Sequence, residues 1–273
     1  PTLPMNILVM GSDRREAKNS PGAATDQRAD TIMLVHVSAD GKHVYGISLM
    51  RDLWVTIPGY GEAKINAALG LGGVSLVVQT VQFLLNQHID HVVMMDFEGF
   101  RGLTEALGGV DVDIKEPFTS THDTHQDFPA GINRLKGQRA LEFVRERYAF
   151  PDGDYRRVRN QQQFLRALVA KTLTGGTLAN PLTVHNVVSA AAPFLSVDKG
   201  FDAAAFGGLA FSLRNIRQQD AVFFTLPTGG DSVSTAGESI LLPDAGAIAA
   251  VAAALAKDTL AAYVAQITPD AGG

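Results

Sequence analysis

The chain alternates between short, nearly unbroken apolar runs and longer stretches in which apolar residues recur at helical spacing. Residues 6–10 (NILVM), 31–37 (TIMLVHV) and 44–49 (VYGISL) are of the first kind. Each is too short for a helix and is bounded by Gly, Asp or Arg, so each reads as a buried strand. The second and third are joined across Ala39-Asp40-Gly41-Lys42, a hairpin-like connection. After a turn at 57–61 (IPGYG), a helical pattern begins at 64–68, breaks at Gly72 and Gly73, and resumes over 74–85 (VSLVVQTVQFLL). Residues 91–95 predict a strand, 96–107 a helix and 110–114 a strand. Residues 116–130 read as a polar loop and 138–144 as a helix. From residue 154 a helix follows, apolar at Phe164, Leu165, Leu168 and Val169, until Gly175 and Gly176 stop it. Beyond it, 180–192 and 202–213 predict helices, 221–226 a strand, 228–238 a hairpin loop and 244–265 an alanine-rich closing helix, a chemically quiet final third.

Strands alternating with helices predict an α/β fold, and its antiparallel start makes the central sheet mixed, partly antiparallel and flanked by helices. No internal repeat or long linker divides the 273 residues, so a single domain over 1–273 is expected. Three successive strands carry charged residues at a terminus or adjoining loop: Asp13 and Arg14, then Asp30, then Arg51 and Asp52. Open α/β sheets bind ligands at such ends.

Composition narrows the function classes. With 46% hydrophobic residues the chain can build a sizeable core, and a net charge of −5 argues against a general nucleic-acid surface. Cysteine is absent, which excludes a disulfide framework and cysteine zinc sites. No continuous apolar run reaches the roughly 18 to 20 residues that cross a bilayer. The chain opens at Pro1 without an initiator methionine, so a targeting segment ahead of the numbering is expected.

Charge changes the picture over residues 138–168, where seven of the fifteen arginines fall in a chain that is acidic overall. Guanidinium forks suit carboxylates and phosphates. In a helix from Asp154, the residues Asp154, Arg157 and Gln161 share one face, while Arg156 and Arg159 point elsewhere. Arg145 and Arg147 would diverge by about 200° on a helix but share a face on an extended chain. With turn chemistry at Phe150-Pro151-Asp152-Gly153, the preceding helix ends near Val144 and both arginines leave it facing Arg157. Three such groups require an anion between them. Asp13 and Asp30, at neighbouring strand ends, can sit side by side as Mg²⁺ carboxylates or serve as turn and capping residues. A metal set can also be drawn from His122, Asp123, His125 and Asp127, though these read as polar loop residues.

Together the segments 6–13 (NILVMGSD), 30–34 (DTIML), 48–52 (SLMRD), 57–61 (IPGYG), 64–68 (KINAA), 96–100 (DFEGF), 107–112 (LGGVDV), 141–147 (LEFVRER) and 154–163 (DYRRVRNQQQ) resemble the LytR-CpsA-Psr family of bacterial cell-envelope proteins. They keep the family's order over roughly residues 5 to 175. The resemblance implies a Mg²⁺-dependent phosphotransferase that moves a glycopolymer from a polyprenyl-pyrophosphate carrier to peptidoglycan or another wall acceptor. It also implies an N-terminal membrane anchor and a place at the outer face of the cytoplasmic membrane. Carried over by position, Asp13 and Asp30 would bind Mg²⁺, and Arg51, Arg145, Arg147, Arg157 and Gln161 would hold the phosphates. Asp154 would orient an arginine or accept a proton, with Asp52 and Lys64 supporting. Met50 stands where the family usually has proline. An apolar groove or tunnel for the lipid tail is expected between sheet and helices, lined by 74–85 and 164–173 unless both stretches are plain core. The runner-up is a non-catalytic lipid-pyrophosphate-binding or regulatory protein.

Overall fold

The computed structural model describes residues 4–12, 28–173 and 180–267. The first three strands are β1 (Met5–Ser12), β2 (Ala29–Val37) and β3 (Val44–Leu49). The hairpin β4 (Trp54–Ile57) and β5 (Gly61–Lys64) leads into helix α1 (Ala67–Leu85). Next come β6 (His91–Asp96), α2 (Phe97–Ala106), β7 (Val110–Ile114), and the short pair β8 (Phe118–Thr119) and β9 (Asp127–Phe128). Strand β10 (Gly131–Leu135) precedes the helices α3 (Gly137–Arg145), α4 (Gly153–Thr172) and α5 (Pro181–Ala191). The chain closes with β11 (Ser196–Val197), α6 (Ala203–Ser212), β12 (Ala221–Thr225), β13 (Thr228–Val233), β14 (Ser239–Pro243), α7 (Ala245–Ala256) and α8 (Leu260–Val264).

The central sheet has the order β11-β6-β1-β2-β3-β12. Strands β1/β2, β2/β3 and β11/β6 are antiparallel, whereas β1/β6 and β3/β12 are parallel, so the sheet is mixed as expected. Side-chain alternation assigns its faces. Leu8, Met10, Ile32, Leu34, Ile47 and Leu49 pack with Val77 and Val81 of α1 and Ile248 and Val251 of α7 into the main core. Val9, Met33 and Met95 face the other side, covered by α2, α3 and α4. Those helices form a second core with β7 and β10, centred on Val110, Leu135, Phe143 and Phe164.

Several local expectations are corrected. Lys64 is strand, not the start of a helix: Tyr60 N–H donates to Ile57 O at 2.9 Å and closes a hairpin, with Gly59 and Gly61 at φ +82° and +84°. Strand β7 lies outside the central sheet, in a ribbon with β10. The expected break at Gly72 and Gly73 is a kink inside α1. The closing helix is two helices, because Asp258 turns left-handed at φ +52°. Its carboxylate there accepts from the Ala39 N–H at 3.0 Å and meets buried His36 Nε2 at 3.0 Å. In the final third the expected strand is β12, which extends the central sheet, and Leu241 N–H donates to Asp52 O at 2.9 Å. The helix stop read at Gly175 and Gly176 lies outside the described residues.

Candidate functional site

The site begins with a strand irregularity. Gly11 pairs with Thr31 but Ser12 pairs with Ala29, so Asp30 is an extra residue on β2. Such a bulge re-aims a side chain at a strand end. Asp30 Oδ1 accepts from Arg51 Nη1 at 2.7 Å, and its carbonyl accepts from Arg157 Nη2 at 3.1 Å. Arg51 leaves the end of β3, where Met50 is fully buried against Val158 and Leu241. An apolar clamp thus fixes the turn at this position.

Helix α4 delivers Asp154 and Arg157 from one face, as the spacing predicts, at 2.7 Å from each other. Arg51 Nε lies 3.5 Å from Asp154 and 3.8 Å from Asp52, whose other oxygen meets Lys64 Nζ at 3.3 Å. Three basic and three acidic side chains, Arg51, Arg157 and Lys64 with Asp30, Asp52 and Asp154, share little water here: Arg157 is 4% exposed. Burial, the largest cause, raises the Asp154 carboxyl above the usual range against the pull of Arg157 and Arg51. Burial likewise lowers Arg157 despite Asp154. Arg51 is desolvated too, but the Asp154 and Asp30 carboxylates outweigh that and raise it. The site is short of hydrogen bonds: Arg157 Nε, Asp154 Oδ2, Ser12 Oγ and Arg147 Nε are buried without one, and Arg51 Nε and Asp154 Oδ1 are held by ion pairing alone. Unsatisfied buried polar atoms are costly, at about 1–3 kcal/mol each, so their clustering marks a place built for an additional group.

Arg145 and Arg147 enter from α3. The helix runs one residue further than the sequence predicts, to Arg145, and Glu146 takes the extended conformation. Its last carbonyls are satisfied from the side: Asn160 Nδ2 donates to Phe143 O at 3.2 Å, Gln161 Nε2 to Val144 O at 3.2 Å, and His122 Nε2 to Arg145 O at 3.1 Å. The Arg145 guanidinium sits 4.3 Å over the Phe97 ring and 3.6 Å from Asp123. Arg147 lies 4.7 Å over Tyr148 and has no carboxylate partner among the described residues. Of the other arginines, Arg156 pairs with Glu116 at 2.8 Å and Arg159 with Asp152.

Two fully buried glutamates anchor the loop ahead of this cluster. Glu142 accepts from Thr124 Oγ1 at 2.6 Å and Thr124 N at 3.1 Å, and Glu146 from Thr121 N at 2.6 Å and Arg147 N at 2.8 Å. Burial would raise Glu142, but bonds from Thr124, Gln138 and Ser120 outweigh it and hold it at about 2. Sequence reading missed both residues, since glutamate on a polar helix carries no mark of its burial. No three His, Asp or Glu among the described residues form a metal set. His122 and Asp123, drawn above as potential ligands, instead position Arg145.

The arginines open into a cavity of about 410 Å³ between sheet and helices. Asp30, Arg51, Arg145, Arg147, Arg157 and Gln161 line its polar end; Val9, Met33, Met95, Phe97, Phe100, Val144, Phe164 and Leu165 line the rest. The expected groove therefore exists, with one correction. Residues 74–85 do not border it, because α1 packs on the opposite face of the sheet. The apolar wall comes from α2, α3 and α4. Asp52 and Lys64 do not border the cavity, and Asp13 lies outside the described residues.

Fold and site define an α/β protein with an arginine-rich cluster bordering a largely apolar cavity. The LytR_cpsA_psr family model matches residues 1–257, and the chain belongs to that family. It is 29% identical to cell wall biosynthesis protein LcpA of Corynebacterium glutamicum, over 88% of this chain and 53% of LcpA. It is 32% identical to the polyisoprenyl-teichoic acid–peptidoglycan teichoic acid transferase TagU of Enterococcus faecalis, over 73% of this chain and 63% of TagU. The chain thus spans between half and two thirds of these curated relatives. The crystal structure of B. subtilis TagV superposes with a TM-score of 0.81 at 26% identity, covering 95% of this chain and 98% of that one.

Proposed function

We infer that this chain is a phosphotransferase that moves a glycopolymer from a polyprenyl-pyrophosphate carrier to a hydroxyl of peptidoglycan or another wall glycan. The carrying observation is the cavity, which passes from guanidinium groups to an apolar lining within one continuous space. A pyrophosphate on a long hydrocarbon tail has that polarity pattern. Membership of a family with a teichoic acid transferase among its members supports the reading. An envelope protein held at the outer face of the membrane by a segment ahead of Pro1 is the accompanying proposal.

In this mechanism Arg145, Arg147, Arg157 and Gln161 hold the two phosphates and Arg51 neutralises charge on the reacting one. The acceptor oxygen bonds to the glycan-side phosphorus, the bridging oxygen leaves with the lipid phosphate, and the hydroxyl proton passes to Asp154. The raised affinity of Asp154 for protons suits a general base. Water in place of the acceptor would give a pyrophosphatase side reaction. Mg²⁺ fits this donor set: it takes one or two carboxylates and completes its shell with water and phosphate oxygens. The bulged Asp30 carboxylate and the unpartnered Ser12 hydroxyl lie at adjoining strand ends. Asp30 with Asp13 would hold the ion, which when bound supplies charge neutralisation at the phosphates.

The test is phosphate release from geranyl pyrophosphate with Mg²⁺ by the native chain, Arg51→Ala and Asp154→Asn. Turnover by the native chain and its loss in both variants is expected. If all three are equally inert yet bind the lipid, the chain is a binding or regulatory protein.

A further inference from the structure

We propose that the outer face of the β4–β5 hairpin is the acceptor subsite and takes a neutral saccharide chain, with the Trp54 indole as a platform for one sugar ring. The proposal rests on the transfer reading above and says where the second substrate lies.

Two sides of the charged centre are distinguishable. The side toward Arg145 and Arg147 opens into the apolar cavity. Asp52 and Lys64 contact the centre without bordering the cavity, and they lie at the base of the hairpin. An acceptor hydroxyl that gives its proton to Asp154 needs an approach the lipid does not fill, and this is the charged centre's other flank.

Alternation builds that flank into a continuous face. Leu53, Val55 and Ile57 point inward, at 1%, 5% and 0% exposure. Asp52, Trp54 and Thr56 therefore point outward. Directly opposite residues of an antiparallel pair share a face, which sets Lys64 beside Trp54 and Glu62 beside Thr56. The Lys64–Asp52 contact at 3.3 Å confirms that this face reaches the charged centre. Trp54 is partly exposed, and Thr56 and Glu62 are exposed.

The chemistry of the face selects its ligand. An indole offers a flat apolar plate and one N–H donor. Around it stand one cation, two carboxylates and a hydroxyl, and the cation, Lys64, is already paired with Asp52. That set matches a pyranose ring, which has an apolar C–H face and a rim of hydroxyls and amides; an anion would call for cations alone. The plate is also fixed relative to the chemistry. Leu241 N–H donates to Asp52 O at 2.9 Å, Ile65 N–H to Leu53 O at 2.9 Å, and Asn66 N–H to Arg51 O at 3.1 Å.

Trp54 is the only tryptophan in the chain, so intrinsic fluorescence reports this face directly. The full chain is titrated with a tetramer of β-1,4-linked N-acetylglucosamine, with and without geranyl pyrophosphate. A saturable change in emission is expected, and Thr56→Arg, which crowds the same face, abolishes it. In transfer assays Trp54→Ala raises the acceptor KM about five- to tenfold, the scale of one aromatic contact, with kcat held, and Trp54→Phe restores most of the loss. No response to the sugar, a response to a free stem peptide in its place, or a loss in kcat that tracks a lowered melting temperature overturns the proposal. Saturable sugar binding in a chain that turns over no lipid pyrophosphate would instead sink the transfer reading and leave the saccharide subsite standing.

Discussion

The two faces of the central sheet use similar apolar residues and end differently. On one, Leu8, Leu34 and Ile47 are fully buried under α1 and α7. On the other, Val9, Met33 and Met95 border a cavity of about 410 Å³. The difference lies in what covers each face. Helices α1 and α7 have no charged residue facing the sheet core and settle onto it. Helices α2, α3 and α4 have a core of their own, around Phe143 and Phe164, and present Arg145, Arg157 and Gln161 toward the strand ends. Charged groups cannot be packed dry without partners, so this face keeps a space that an amphiphilic ligand can fill. The comparison teaches that a hollow is set by the covering helices rather than by the apolar content of the strands.

The largest effect that would break this contrast lies at its charged rim. Arg51→Ala and Asp154→Asn are expected to lower turnover of a polyprenyl-type pyrophosphate by about 10²- to 10⁴-fold, read by phosphate release; near-native rates in both would remove the cavity's assigned role. Next in size is stability. Leu34→Ala, on the filled face, should cost about 2–5 kcal/mol in chemical denaturation. Met95→Ala, whose side chain already borders the cavity, should cost well under that because it forfeits fewer contacts. Equal losses would mean that the two faces are packed alike.

Smaller again is the effect of filling the space. Leu165→Trp should raise the KM for geranyl pyrophosphate about tenfold while leaving the denaturation midpoint nearly in place, whereas overpacking a filled core costs about 1–3 kcal/mol. The pH profile sharpens the contrast further. Asp154 has a raised pKa, so its basic form accumulates only as pH rises through that value, and turnover should climb with pH beyond the ordinary carboxylate range. The same shift means that ionising Asp154 costs stability as pH rises. Glu142 has the opposite sign: held at about 2, it contributes stability that is present above the ordinary carboxylate value and lost as pH falls toward 2. Acid denaturation of Glu142→Gln should be shallower across that window, with the arginine-bearing end of α3 loosening first in the native chain as read by amide exchange.

Much of this site was legible because its geometry is local. The face shared by Asp154, Arg157 and Gln161 follows from the helical period alone, and the strand ends that carry Asp30 and Arg51 follow from short apolar runs closed by charge. The segment order and arginine spacing were specific enough to point to a family. Trp54, Glu142 and Glu146 stayed hidden for a common reason. Their surroundings come from elsewhere in the chain: loop residues Thr121 and Thr124 for the glutamates, and a hairpin register for the tryptophan.

By itself, then, the sequence determined strands β1, β2, β3, β6, β7 and β12, most helices, the mixed sheet and the membership of the arginine cluster, since each rests on periodicity or spacing within a few residues. Tertiary structure alone decided that α1 seals a core while α2, α3 and α4 enclose a cavity, that Asp258 breaks the closing helix to reach His36, and that β14 braces Asp52. Periodicity states which side of an element is apolar. What lies against that side is settled by contacts between residues far apart in the chain, and no local pattern records them.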